Sequence, residues 1–313
     1  MTTTRASRRR VTFAAERAVG AILAAQRHGG GDPAFRTEEA GSARRWWLGW
    51  RTPEGAATLC IEGAPVAGAV DALAWGPGAE WALARVPELL GEADDDSGFV
   101  ARHAVVAEAA RRFRGLRVPR SGLVVQTLVP VVIEQKVTGR EAFAGYRRLV
   151  RRFGERAPGP GAALALMVPP SAAGWAAVPS WEWLRAGVDG GRSRPVVSAV
   201  GYAGRLEECV DLPPPAARAR LEALPGVGVW TSAEVAQRAL GDADAVSVGD
   251  YHVAADIGWA LVGHPVDDDG MLELLEPYAG HRFRVQRLLE LAGVHRPRRG
   301  PRMAPRTHLP VRP

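Results

Sequence analysis

The sequence predicts an α+β protein, and three observations carry that prediction. Short segments rich in aromatic and β-branched residues, bounded by Gly and Pro, fill residues 32–75. Apolar residues recur at helical spacing over most of residues 118–293. No stretch is apolar for the roughly 20 residues that a membrane-spanning helix needs.

The strand signal is strongest in Trp46-Trp47-Leu48-Gly49-Trp50 and in Ala57-Thr58-Leu59-Cys60-Ile61. Gly76-Pro77-Gly78 then opens a helix running through Trp81 and Leu83, because Pro suits a first helical turn. Asp94-Asp95-Asp96-Ser97-Gly98 reads as a loop and 99–113 as a helix. Past Gly115, helices are expected at 121–138, 140–153, 180–188, 194–210, 214–223, 230–240, 251–263, 269–276 and 279–292. Pro130 should kink the first of these or mark its true start. Four regions follow: a basic, flexible N-terminus (1–31) ending in Gly29-Gly30-Gly31, a mixed α/β domain (32–115), a helical part (116–295) and a tail (296–313). The tail alternates Arg with Pro, buries little apolar surface and is expected to be disordered.

The bulk numbers narrow the function classes. The 313 residues are 47% hydrophobic and 24% charged, as in ordinary globular proteins. A formal charge of +6 and a pI near 10.1 favour a polyanionic partner. Two cysteines exclude a four-thiolate iron–sulfur cluster, and the seven histidines show no paired ligand spacing. Cys60 and Cys209 lie in apolar runs and read as small core residues, with a disulfide between them left open. The basic start lacks the apolar run of a secretory signal, so a cytoplasmic location is expected, with nucleoid association if the source is bacterial. Lys136 is the only lysine.

The segment with chemical content reads Leu224-Pro225-Gly226-Val227-Gly228-Val229-Trp230-Thr231, then a helix, then Val248-Gly249-Asp250-Tyr251-His252. Leu-Pro-Gly-Val-Gly between amphipathic helices is a helix–hairpin–helix signature. Pro225 ends the first helix, and Gly226 and Gly228 admit backbone angles closed to other residues. Backbone N–H groups at the start of the next helix then face outward and bind phosphate without reading sequence. Asp250 directly precedes the next amphipathic run. Asp is a favoured helix cap, and a helix N-terminus stabilises its negative charge. A carboxylate fixed in this way can also stabilise a developing sugar cation, or orient a water.

These residues resemble the helix–hairpin–helix superfamily of DNA base-excision glycosylases, and within it DNA-3-methyladenine glycosylase II. The resemblance extends to Ile133-Glu134-Gln135-Lys136-Val137-Thr138-Gly139 and to Leu275-Glu276-Pro277-Tyr278-Ala279-Gly280-His281-Arg282, covering about residues 32–295. It implies an N-terminal mixed α/β domain followed by two all-α domains, with a cleft between these two. It implies that Asp250 is the catalytic carboxylate and that Trp230 and Tyr278 line the base pocket. Leu224, Pro225, Gly226, Val227, Gly228 and Thr231 would form the DNA-binding hairpin. Lys136 falls where the superfamily inserts a wedge into the gap left by a flipped base, a task usually given to an apolar side chain.

Members that also nick the backbone carry a lysine where this chain has Trp230, so the resemblance implies a monofunctional hydrolase that leaves an abasic site. The substrate implied is an alkylated purine in double-stranded DNA, whose positive charge suits aromatic faces. A monomer with no cofactor is expected, apart from a monovalent cation that the hairpin carbonyls could hold. Glu134 and Asp256 are candidate helpers. Two alternatives stay open: a glycosylase for another damaged base, and a non-catalytic protein that recognises damaged or unusual DNA.

Overall fold

The computed structural model describes residues 6–297; residues 1–5 and 298–313, with most of the expected tail, lie outside the described residues. Five strands form an antiparallel sheet in the order β1-β5-β4-β3-β2. They are β1 (Ser7–Arg17), β2 (Phe35–Ala40), β3 (Ala43–Thr52), β4 (Gly55–Gly63) and β5 (Ala67–Trp75). The alternation in β3 explains why the sheet is buried on both faces. Trp46, Leu48 and Trp50 point to one side and pack with helices α1 (Val19–Ala24) and α2 (Ala79–Leu89). Trp47 points to the other and, with Cys60 of β4, packs under Ala157, Leu166 and Val168.

The N-terminal expectation fails here. Residues 7–17 are not a flexible arm but an edge strand paired with β5, Arg10 opposite Asp71 and Val11 opposite Val70. Only Val11 is fully buried in β1. A charge run with one apolar anchor reads as solvated; its order comes from a non-local partner and from Asp71, which accepts from Arg8 and Arg10 at 3.2 and 2.9 Å.

Helices α3 (Ala104–Arg112), α4 (Val124–Glu134), α5 (Gly139–Phe153), α6 (Ala172–Ala176), α7 (Ser180–Arg185), α8 (Gly190–Val200), α9 (Ala203–Glu207), α10 (Pro214–Glu222), α11 (Val229–Val235), α12 (Val253–Val262), α13 (Asp268–Leu275) and α14 (Arg282–Ala292) follow. Several differ from the sequence pattern for local reasons. α4 runs through Pro130 rather than starting there, its first turn capped by Glu207, which accepts from the Val124 and Val125 amides at 2.9 and 3.0 Å. The expected 194–210 helix is split into α8, α9 and a short 3-10 turn. α3 starts late because the Tyr278 hydroxyl engages the Arg102 and His103 amides at 2.9 and 3.0 Å. α11 continues as a π-helical turn, Ala236–Leu240, ending at Gly241 in the left-handed region.

Two large cores result, and they do not follow the division at residue 115. The first joins the sheet and α1–α3 to Ile257, Met271, Leu275, Tyr278, Leu288 and Leu289 from the C-terminal helices. The second is built from α4 to α11 alone, around Trp175, Trp183, Leu128 and Ile133. Chain continuity is what the sequence pattern reports, so it missed that α12–α14 return to the sheet. Among the described residues no helix is long and apolar enough to cross a membrane. Both cysteines are buried and free, in separate cores. Burial pushes the Cys60 thiol up to about 12.

Candidate active site

The segment between residues 241 and 252 passes from the second core to the first, and Asp250 sits on it. Its backbone is fixed at each step. Gly249 adopts φ +85 and lies over Trp230, leaving only 4.0 Å between the Trp230 Cβ and the point where a side chain would begin. The Gly249 amide donates to both carboxylate oxygens of Asp268, each at 3.1 Å, and the Asp250 amide donates to the Ser247 carbonyl at 3.2 Å.

The Asp250 carboxylate divides its work between its two oxygens. Oδ1 accepts from the His252 and Val253 amides at 2.7 and 3.1 Å, capping the first turn leading into α12. Oδ2 accepts from the Trp230 indole Nε1 at 3.2 Å. One oxygen is thus committed to structure, while the other holds a single side-chain hydrogen bond and keeps a lone pair for chemistry. Trp230 is half-buried at the start of α11, its indole beside that oxygen. Tyr251, 83% exposed, stands next in sequence with its ring edge-on to His252.

The hairpin joins α10 to α11. Its two glycines play different parts. Gly226 has φ +84, and a Cβ there would lie 2.5 Å from the Pro195 ring, so both backbone and packing demand glycine. Gly228 has φ −102 and ψ −176, extended backbone open to any residue, and a Cβ there meets nothing within 4 Å. Its place as the N-cap of α11 favours glycine over apolar residues but does not require it. Among the described residues the amides of Gly228, Val229 and Trp230 have no hydrogen-bond acceptor. Leu224 accepts from the Val227 amide at 3.1 Å, closing the turn, and Thr231 is buried.

Gln135, at the end of α4, was not singled out from sequence. Its side-chain amide donates to the Gly226 carbonyl at 2.9 Å and to the Thr231 hydroxyl at 2.8 Å. The next residue, Lys136, has φ +54, a conformation rare for lysine, and is exposed at the tip of the turn beside the hairpin. The Gly226 carbonyl, one of those a monovalent cation would use, is already engaged by Gln135.

Tyr278 is not brought to this pair. It is 2% exposed in the first core, stacked on Phe99 at 5.7–6.2 Å from the Phe99 and His103 rings, with its hydroxyl also 2.8 Å from His103 Nδ1. As folded its ring is covered by Phe99 and His103 and is not in contact with Trp230 or Asp250. The proposed helpers have structural partners as well: Glu134 lies 3.1 Å from His28 Nδ1, and Asp256 accepts from the Arg296 amide. A water-sized cavity of about 20 Å³ is bounded in part by His28, Asp32, Gln126 and Tyr146, and neither Trp230 nor Asp250 lines it. Among the described residues no three His, Cys, Asp or Glu side chains are grouped to hold a metal.

No protein-family profile matches the chain, and no curated protein matches its sequence. Its fold does match solved structures. A 3-methyladenine DNA glycosylase from Archaeoglobus fulgidus is 16% identical, with a TM-score of 0.70 over 90% of this chain and 98% of that one. An 8-oxoguanine glycosylase/lyase from Clostridium acetobutylicum, free of DNA, is 13% identical, with a TM-score of 0.58 over 82% of this chain and 99% of that one. The same enzyme in complex with double-stranded DNA gives 0.56, at 13% identity, over 83% and 99%. The chain therefore has the fold of the helix–hairpin–helix DNA glycosylases.

Proposed function

We propose that this protein is a monofunctional DNA glycosylase that flips an alkylated purine of the 3-methyladenine type out of duplex DNA and hydrolyses its N-glycosidic bond. The observation that carries the reading is the Asp250 carboxylate, fixed through Oδ1 at a helix start while Oδ2 holds a single hydrogen bond from a half-buried indole. The open Gly228 face and its unengaged amides support backbone phosphate binding next to that carboxylate. Such contact is salt-dependent, as the basic chain favours.

The chemistry follows from these parts. The duplex yields one nucleotide, at a cost of a few kcal/mol that is lower for a damaged pair. Lys136, exposed beside the hairpin, enters the vacated space or meets a phosphate. Trp230 takes the base against its ring, an attractive contact for a cationic purine. The bond from C1′ to the base nitrogen breaks with its electron pair leaving on the base, which neutralises an alkylated purine without an added proton. Positive charge gathers on the sugar, and Asp250 stabilises it. A water oxygen bonds to C1′ and its proton passes to the carboxylate or to solvent. Trp at position 230, with the sole lysine on the turn at 136, supports hydrolysis by water without a Schiff base.

The test is release of free base from alkylated duplex, beside duplexes carrying oxidised and deaminated bases. Release of methylated purine, with abasic sites and no strand breaks, supports the reading. Duplex binding with no release from any substrate would replace it with non-catalytic damage recognition.

A further inference from the structure

Behind Asp250 lies a buried polar cluster that the proposed chemistry does not use. Its centre is Ser247, 1% exposed and three residues before the carboxylate. The Ser247 hydroxyl donates to Glu234 Oε1 at 2.6 Å and accepts from the side-chain amides of Gln237 at 2.9 Å and Gln286 at 3.0 Å. One donor and two acceptor sites are all a hydroxyl has, so it is saturated. The Ser247 amide donates to Gln286 Oε1 at 3.1 Å. Its carbonyl accepts from the Asp250 amide at 3.2 Å. Every polar atom of this one residue is therefore engaged.

The partners sit on two helices. Glu234 and Gln237 belong to α11 and its π-helical continuation, and Gln286 belongs to α14. Glu234 lies one turn after Trp230 on the same helix face and is held from its other oxygen by Arg238 at 2.7 Å. Gln237 also donates to the Ala245 carbonyl at 2.7 Å, and Gln286 to Glu290 at 2.9 Å. The distance between Trp230 and Asp250 is thus closed by two routes. One is their direct hydrogen bond, and the other runs through α11, Glu234 and Ser247 back to Asp250. Buried polar side chains persist only when paired, and a paired set fixes geometry more narrowly than apolar contact does.

We propose that Ser247 is a positioning residue for Asp250, setting through Glu234 and Gln286 the placement of the carboxylate against the sugar. The assignment rests on the reading of Asp250 as the group that stabilises the sugar cation. It concerns placement and not folding. On removal of the hydroxyl, Glu234 keeps Arg238, Gln237 keeps the Ala245 carbonyl and Gln286 keeps Glu290, so each partner retains a hydrogen bond.

The test uses the full chain and two duplexes carrying abasic analogues, one a cationic pyrrolidine and one an uncharged tetrahydrofuran. Their affinity ratio reports how well a carboxylate faces the sugar position, without catalysis. Wild type is expected to prefer the cationic analogue. Ser247→Ala should lose most of that preference and about 100-fold in single-turnover excision, while its affinity for the uncharged analogue stays within about twofold. Gln286→Met, altered on the other helix, should show the same selective loss. Full preference and full rate in both folded variants would overturn the role of Ser247 while leaving Asp250 in place. No preference in wild type would overturn the reading of Asp250 and the assignment with it. Equal weakening toward both analogues would mean that the cluster only supports the fold.

Discussion

Trp230 donates its indole N–H to the Asp250 carboxylate, tying the first turn of α11 to the start of the turn that leads into α12. The bond joins the helix after the hairpin to a segment pinned in the first core, so the start of α11 and a fixed anion are held in one unit. Trp230→Phe keeps an aromatic face, smaller than the indole, and removes the hydrogen bond. A bond to a charged acceptor contributes about 1.5–3 kcal/mol, so single-turnover excision should fall by about 10- to 100-fold with duplex affinity little changed. An unchanged rate would mean that the indole N–H does not position Asp250.

The two hairpin glycines should separate folding from binding. Gly226→Ala forces a left-handed backbone and a Cβ 2.5 Å from Pro195, so it should destabilise the protein by about 1–3 kcal/mol, read in thermal or urea unfolding. Gly228→Ser places its side chain in open space on extended backbone at a helix N-cap, where serine is favoured, and should not lower the melting temperature. It should weaken duplex binding on the order of tenfold, the worth of one charge-assisted hydrogen bond. Equal destabilisation by both would remove the argument for an open phosphate face.

Part of this site was legible in the sequence and part was not, for physical reasons. The hairpin and Asp250 could be found because they depend on local backbone geometry, which Gly, Pro and Asp report directly. Trp230 stood at a fixed offset inside the same motif. The burial of Tyr278 was not legible, because an aromatic residue on a helix-flanking loop reads the same whether its hydroxyl meets a ligand or the buried amides of Arg102 and His103. Gln135 and Ser247 were missed because their partners are remote in sequence, Gly226 and Thr231 for one and Gln286 for the other. The same limit hid β1, whose pairing with β5 no local pattern records.

Tyr278→Phe separates a structural role of the buried hydroxyl from a role in the base pocket. It leaves two amides of the α3 start without their acceptor, a loss of about 1–3 kcal/mol in unfolding free energy. Because the ring itself is retained and lies away from Trp230, excision by the folded protein should stay within about twofold of wild type, an expectation that follows if the hydroxyl makes no ligand contact. A large loss of activity at unchanged stability would assign Tyr278 to the base pocket.

His281 supplies a pH dependence. Burial first, and the nearby Arg284 guanidinium next, hold its imidazole below the ordinary histidine value. Its Nδ1 accepts from Arg284 Nε at 3.3 Å, which requires the neutral ring. The unfolded chain therefore binds this proton more readily, so the stability is present above about pH 6.5 and is lost as pH falls through the lower folded value. Buried Asp32 and Glu207, both raised by desolvation, act in the opposite sense, so the comparison must be made between variants. Melting temperatures from pH 7 to pH 5 should fall less steeply in His281→Asn than in wild type. Parallel curves would assign the acid sensitivity elsewhere.

The central claim is that Asp250 performs the chemistry, and base release from alkylated duplex by wild type and Asp250→Asn tests it most directly. The Asn side chain keeps an oxygen for the His252 and Val253 amides and removes the charge, so duplex binding should persist. Wild type should release methylated purine and leave abasic sites, while Asp250→Asn releases none above background. Base release by the variant at the wild-type rate would contradict the account.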